Sequence, residues 1–506
     1  MSNDGESSRQ ILRSTSIIGG ASVINILVGL LRIKVVAILL GPAGVGLIGL
    51  FNNLIGTAAN VASLGTGTVG TRQIAEAAGR GDANAVAAAR HALFWGTLVL
   101  AFAGSLIFWL LRGTLATHVL SDPELGDQVG WLALGVGLTV AGGSQGALLN
   151  GLRRIGDLAR VSVYSAVLAT VLGVASLLLW HEKGLTVYLL MMPVASFAVG
   201  HWYVAHLPAV KARRTPLHAL IQQWASIARL GMAFMLAGLA LTAGQLVVRT
   251  LVQRELGTDA LGHFEAAWVI SMTYIGFVLR AMGTDYYPRL TAVIQDHAAV
   301  NRMVNEQTEV AFLLAGPVFL IVLGLAPWII ELLYSSKFSA ATNVLRWQIL
   351  GDILKVASWP LGFIILAAGD GRTFLIYETL AIVVFSLVVW LALPYIGLEA
   401  TGVGFLIMYA TYLPMVYWLA RRRTGFRWTS KITKNLIALL ICGAFIGSIG
   451  SWNKYFGAIL GLITSCIFFA VSVNRLLKMT GVPSSLVMFM TTCRNAYSRI
   501  IDKKYE

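Results

Sequence analysis

Apolar residues run through this chain in long, nearly uninterrupted stretches, and fourteen of them read as helical spans. They cover residues 15–40, 44–70, 90–111, 129–150, 160–180, 185–208, 228–250, 262–284, 309–333, 345–367, 374–394, 399–420, 434–450 and 455–474. Their lengths lie near or above the ~20 residues a helix needs to cross hydrocarbon. Inside a bilayer the backbone must satisfy its own hydrogen bonds, which only helices and closed barrels achieve, and barrel strands are about half as long. The pattern predicts an all-α, polytopic membrane protein with about fourteen transmembrane helices. The connections on the side opposite the amino terminus are all short, well under ~20 residues, so no folded domain is expected there. Whatever the protein does, it does within the membrane.

An internal echo divides the chain. Leu40-Gly41-Pro42-Ala43-Gly44-Val45-Gly46 closes the first span, and Leu256-Gly257-Thr258-Asp259-Ala260-Leu261-Gly262 follows the seventh, 216 residues later. At the same offset Gly67-Thr68 matches Gly283-Thr284. Six spans per copy is an even number, so both copies start on the same side and are related by a pseudo-two-fold axis along the membrane normal. The expected organisation is a cytoplasmic tail (residues 1–14), an N-lobe of six helices (15–210), a linker (211–227), a C-lobe of six helices (228–423), an appended hairpin (434–474) and a second cytoplasmic tail (475–506). Two facing lobes enclose a cleft, an architecture suited to alternating access.

Composition agrees: 57% of the 506 residues are hydrophobic and 12% charged, with a mean hydropathy of +0.75, far from a soluble domain. The formal charge of +15 raises the question of nucleic acid, which the placement of the charges answers. Of 38 basic residues, 27 fall in the two tails and one set of alternate connections and six in the other set, with the remaining five in or at the edges of spans. By the positive-inside rule both termini are cytoplasmic, and no nucleic-acid partner is needed to explain the basic excess. Cys442, Cys466 and Cys493 show no paired spacing, and the eight histidines are scattered, so neither a disulfide framework nor a metal site is expected. The first apolar run is too long for a signal peptide and lacks a small-residue cleavage site, so it reads as a retained helix. No phosphate-binding loop occurs, and no cofactor is expected.

Two stretches resemble a known family. The first turn, Gly41-Pro42-Ala43-Gly44-Val45-Gly46-Leu47, and the run Ser336-Lys337-Phe338-Ser339-Ala340 followed by Trp347-Gln348-Ile349-Leu350-Gly351-Asp352-Ile353-Leu354-Lys355-Val356 are similar to those of Wzx-type O-antigen and enterobacterial common antigen flippases. These belong to the multidrug/oligosaccharidyl-lipid/polysaccharide exporter superfamily. The resemblance covers roughly residues 12–423, and the hairpin at 434–474 departs from the twelve-span pattern. It implies a transporter of the bacterial inner membrane, not an enzyme, that moves an undecaprenyl-pyrophosphate-linked oligosaccharide from the cytoplasmic to the periplasmic leaflet. Other polysaccharide assembly proteins are the partners it implies.

Charges inside the spans are the candidate functional groups, because each costs ~2.5–3.5 kcal/mol to insert at mid-membrane. Arg32 lies nine residues before Gly41, roughly 13 Å inside the span end at 1.5 Å per residue. Lys34, two residues on, points about 200° away, so only one of the two is expected to line the cleft. By resemblance Lys34 matches a basic position of the family and Arg32 does not, so the ranking of the two stays open. Arg280 sits in the apolar run Phe277-Val278-Leu279-Arg280-Ala281-Met282, where a lumen position or a structural ion pair would relieve it. Asp352 and Lys355 share one helical face and can form a neutral pair that fixes register or touches substrate. No acidic residue falls in the first six spans, whereas Glu265, Asp352 and Glu378 lie in later ones. The expectation is that Arg32, Lys34, Arg280 and Lys355 provide a cationic cleft for pyrophosphate, while Asp352, Glu265 or Glu378 takes up H+ or Na+ to drive transport.

Two other functions compete. A multidrug or cation antiporter of the same superfamily would share the fold, but should present carboxylates rather than the arginine and lysine of the first lobe. A polyprenyl-dependent polysaccharide polymerase would need a substantial periplasmic loop. The many tryptophans, Trp180, Trp202, Trp418 and Trp452 among them, sit near span ends, where interfacial anchoring accounts for them.

Overall fold

The computed structural model describes residues 3–207 and 217–480, with the side chains of residues 3–18 and of scattered positions between 217 and 285 outside the description. Its helices are α1 (Asn3–Ser63), α2 (Thr66–Gly79), α3 (Ala83–Leu110), α4 (Arg112–His118), α5 (Gly126–Gly151), α6 (Ile155–Trp180), α7 (Leu185–Ala205), α8 (Leu217–Ala292), α9 (His297–Leu333), α10 (Ala341–Ala367), α11 (Gly371–Ile396), α12 (Glu399–Thr424), α13 (Ser430–Trp452) and α14 (Lys454–Thr480). No strand occurs among the described residues. Among the described residues, ten helical stretches are long and apolar enough to cross a membrane, and two of these, Gly19–Ser63 and Ile155–Ala205, run to 45 and 51 residues. Each of those two is about twice one crossing, and the second comprises α6 and α7.

The expected turns at the two echoed segments are tighter than loops. α1 and α8 each continue through a single non-helical residue, Gly41 (φ 63°, ψ −165°) and Gly257 (φ 85°, ψ 177°). Both stand in a region of backbone space essentially reserved for glycine, and they lie 216 residues apart. Pro42 follows the first and brings no N–H to leave unpaired. At Gly257 the chain folds back on itself, because Arg249 and Glu265, 16 residues apart, are hydrogen-bonded. A straight helix would hold them about 24 Å apart.

The chain segregates into two compact units. The first consists of Met1–Tyr274, Ala326–Asp352 and Gly369–Val416; the second of Ile275–Leu325, Ile353–Ala368 and Tyr417–Glu506. Within the first, α5 packs against α2, α3 and α7, and α6 packs against α1 and α7. Small residues set the spacing, as lipid offers no hydrophobic drive to hold helices together and close van der Waals contact must do so. Gly137 lies against Ser105, whose hydroxyl donates to the Ala133 carbonyl at 2.8 Å. The two copies of the echoed turn also meet: a Cβ at Gly46 would stand 2.6 Å from the Thr258 carbonyl oxygen, and one at Gly262 would collide with the Pro42 backbone. Gly65 and Gly231 make an equally close backbone contact.

In the second unit, α13 and α14 form the appended hairpin, and α14 lies along α9. Gly324 on α9 meets Gly457 and Gly461, Gly316 receives the Phe468 ring, and Ser465 donates to the Pro317 carbonyl at 2.8 Å. Arg475 adds a contact of 3.3 Å to Glu309. The segment before α13 is pinned by Asn305, which donates to the Arg427 carbonyl at 3.1 Å and accepts from the Thr429 N–H at 2.9 Å.

Candidate functional site

A polar cavity of about 480 Å³ lies inside the first unit, lined by Arg32, Asn52 and Asn53 of α1, Tyr188 of α7, Arg249, Glu265 and Trp268 of α8, and Tyr334 beyond α9. Most of its lining comes from the two folded-back helices, α1 and α8. Gly257 stands eight residues from Arg249 and eight from Glu265, so the two arms carry guanidinium and carboxylate to the same depth, about 12 Å from the bend.

The pair is bidentate and buried. Arg249 Nε donates to Glu265 Oε1 at 2.5 Å and Nη2 to Oε2 at 3.3 Å, while Nη1 reaches the Gln245 carbonyl at 3.3 Å. Both side chains are about 5% exposed, and the Phe264 and Trp268 rings flank the guanidinium at 5.7 Å each. Such an arrangement satisfies most of the arginine's donors in a fork that lysine cannot reproduce. Glu265 fits because position 49 is glycine: a Cβ there would stand against its carboxylate. Arg32 lines the same cavity and, among the described residues, forms no ion pair. Two arginines against one glutamate leave the lining with one uncompensated positive charge.

The structure separates the residues singled out from sequence. Arg32 and Glu265 meet in the cavity. Lys34, the other half of the Arg32 alternative, turns away and donates to the Glu331 carbonyl at 3.0 Å, in the last turn of α9, where the helix dipole favours a cation. Lys355 is half-buried on α10 and is not among the cavity's lining residues. Arg280 lies on the α8 backbone, with its side chain outside the described residues. Asp352 and Glu378 belong to a different cluster, built with tyrosines. Asp352 is fully buried and accepts from Ser271 Oγ at 2.6 Å and Tyr274 Oη at 3.2 Å. Glu378 accepts from Tyr412 Oη at 2.5 Å. Tyr409 packs on Tyr412 and lies within electrostatic reach of both carboxylates.

The same cluster explains the Trp-Gln-x-x-Gly-Asp run on α10. Trp347 Nε1 donates to Glu399 Oε2 at 3.1 Å, Gly351 gives room to the Phe405 ring, and Asp352 collects hydroxyls from α8. Gln348 is fully buried, and among the described residues neither its amide oxygen nor its amide nitrogen has a hydrogen-bond partner.

Sequence reasoning missed Arg249. The signal was present: at the offset of 216, Arg249 corresponds to Ile33 and Glu265 to Gly49, so the echo marks a pair found in only one copy. A larger groove, about 820 Å³, runs between α3 and α5 past Leu98, Phe102, Leu106, Trp109, Trp131 and Leu134. It is chiefly apolar, with Arg112 and Asp127 among its lining residues, and suits lipid contact better than selective recognition.

Comparison with known proteins is consistent with this architecture. Residues 35–343 match the family described as polysaccharide biosynthesis protein. The lipid III flippase of Escherichia coli (strain K12) is 22% identical over 414 residues, covering 80% of this chain and 97% of that protein, and the lipid III flippase of Shigella flexneri matches equally. Among solved structures, the lipid II flippase MurJ in an inward closed conformation superposes with a TM-score of 0.68 at 11% identity, covering 91% of this chain and 99% of that one. An inward-facing multidrug resistance MATE family transporter of the MOP superfamily gives 0.67 at 17% identity, covering 83% and 99%. The fold is therefore the two-lobed helical fold of these transporters, and the protein crosses the membrane many times. With the matched segment spanning more than half of its length, the chain belongs to the polysaccharide biosynthesis protein family.

Proposed function

We propose that this protein is a flippase that carries an undecaprenyl-pyrophosphate-linked oligosaccharide from the cytoplasmic to the periplasmic leaflet of the bacterial inner membrane by alternating access. The observation that carries the reading is a cavity between helices whose charged lining residues are two arginines and one glutamate. Diphosphate is the densest negative charge of such a substrate, and its attraction to guanidinium strengthens severalfold when water is excluded. A cation antiporter would need the opposite sign. The curated relatives, both lipid III flippases, support the same substrate class. The lobes spanning residues 15–210 and 228–423 rock about the cavity, and the placement of the basic residues puts both termini in the cytoplasm. The Asp352 and Glu378 cluster, apart from the substrate cavity, suits uptake of H+ or Na+.

Depletion of the protein in its host tests this. Lipid-linked repeat units accumulate on the cytoplasmic leaflet and surface polysaccharide falls, with R32A and R249A each failing to restore it. Normal surface polysaccharide combined with heightened sensitivity to cationic drugs would instead identify an antiporter.

A further inference from the structure

We infer that Glu265 is a resident counter-anion, seated where the substrate's phosphate binds, and that an anionic headgroup displaces it from Arg249 and leaves it protonated. The inference rests on the flippase reading and adds to it a coupling step within the substrate cavity.

Three observations meet at this residue. First, the carboxylate already makes the forked, two-oxygen contact with Arg249 that a phosphate would make, in the same cavity that Arg32 lines. A headgroup entering beside Arg32 encounters a second guanidinium whose donors are taken by an anion of the protein's own. Second, Glu265 is held by fit as well as by charge: it occupies the notch left by Gly49 of the opposite copy of the repeat. Leaving Arg249 therefore also means leaving α1. Third, the charged and titratable groups around it are few. Arg249 faces it from the other arm of α8, Arg32 lines the same cavity from α1 with Tyr188 of α7 beside it, and Tyr334 faces it from the end of α9. His263, two residues earlier, meets the Phe338 ring edge to face instead. Once a diphosphate holds both arginines, no cation among these groups is left to balance a carboxylate, and a buried carboxylate without a counter-charge neutralises rather than persists.

The exchange balances simply. The Arg249–Glu265 hydrogen bonds break, two phosphate oxygens take their place on the guanidinium, and Glu265 gains one proton drawn from the bulk solution. Reversal on the far side returns that proton as the headgroup departs. Because Glu265 bridges the two repeats, occupancy of the cavity also loosens the contact between Gly49 and the second arm of α8. The headgroup thereby loosens the seam that must part for it to leave.

The test uses the full-length protein in lipid nanodiscs with farnesyl pyrophosphate as probe. Difference infrared spectroscopy on ligand addition shows the carbonyl stretch of a newly protonated carboxylic acid in wild type and none in E265Q. In titrations, E265Q binds the probe about tenfold more tightly than wild type, since no resident anion competes, while R249A weakens binding about tenfold or more. Should E265Q fail to fold, G49A moves Glu265 off its seat and E265D shifts the infrared band; the wild-type spectrum decides the matter on its own. If wild type binds the probe with no carboxylic acid band and E265Q binds no more tightly, the exchange is wrong and the cationic cavity stands. If folded wild type and E265Q both fail to bind it, the cavity reading falls and the exchange with it.

Discussion

Arg249 shows how a single charge is made tolerable inside a bilayer. It is satisfied by a carboxylate, a backbone carbonyl and two aromatic faces, the carbonyl from its own arm of α8 and the other three from the arm beyond Gly257. Removing only one partner strands the other, which costs about 3–5 kcal/mol for a buried pair, whereas replacing both with apolar residues of similar size is often neutral. R249A should therefore lower the thermal unfolding midpoint of the purified protein, and R249M/E265M should regain it while transport stays lost. A double variant as unstable as the single one would show that the pair is not the stabilising unit. Lys34 should behave differently from Arg32: K34A removes one hydrogen bond to the end of α9, so glycan export should fall less than about twofold, against tenfold or more for R32A. At this scale the sequence was only partly legible. The apolar setting of Arg32 marked it as costly, and opposite helical faces predicted that Arg32 and Lys34 would part. Which of them faced the cavity depended on α9, 297 residues away in the chain from Lys34. Asp352 likewise takes its hydroxyl partners from 78 and 81 residues away, beyond the reach of any spacing rule.

Among the elements, the two bent helices do the most to shape the cavity. Gly257 adopts a conformation that costs other residues about 1–3 kcal/mol, so G257A should destabilise the protein by that amount in thermal unfolding and blunt transport. The equal arms on either side of the bend make a second prediction. One residue inserted between positions 250 and 256 turns Arg249 through about 100° relative to Glu265, and export should fail although every functional side chain is retained. Preserved export would mean that the arms need not be matched. The appended hairpin is held differently, through glycines on α9 and α14 that allow backbone contact. G461L should loosen it from α9, read as increased proteolysis within α13 and α14. Both bends were legible as echoed glycine segments, but not their tightness: connections over residues 41–43 and 251–261 were expected, and one glycine proved sufficient in each.

For the molecule as a whole, the spans were the most legible feature, because a chain in lipid has no alternative to long apolar helices. The repeat was legible for the same reason that it is structurally tight: its glycines lie where two backbones touch, and substitution there meets backbone rather than movable side chains. Reporter fusions check the orientation drawn from the basic residues, with alkaline phosphatase active after Lys183 and inactive after Lys434; the reverse result would invert the molecule. The pairing of Gly49 with Glu265 has one more consequence. The two copies of the repeat are unlike halves that fit only each other, a socket in one and a plug in the other. Two first halves joined together would own a cavity with no glutamate to release, and two second halves would force a pair of glutamates into a gap that holds one. Neither chimera should transport, and only the mixed order found here should, however well all three insert.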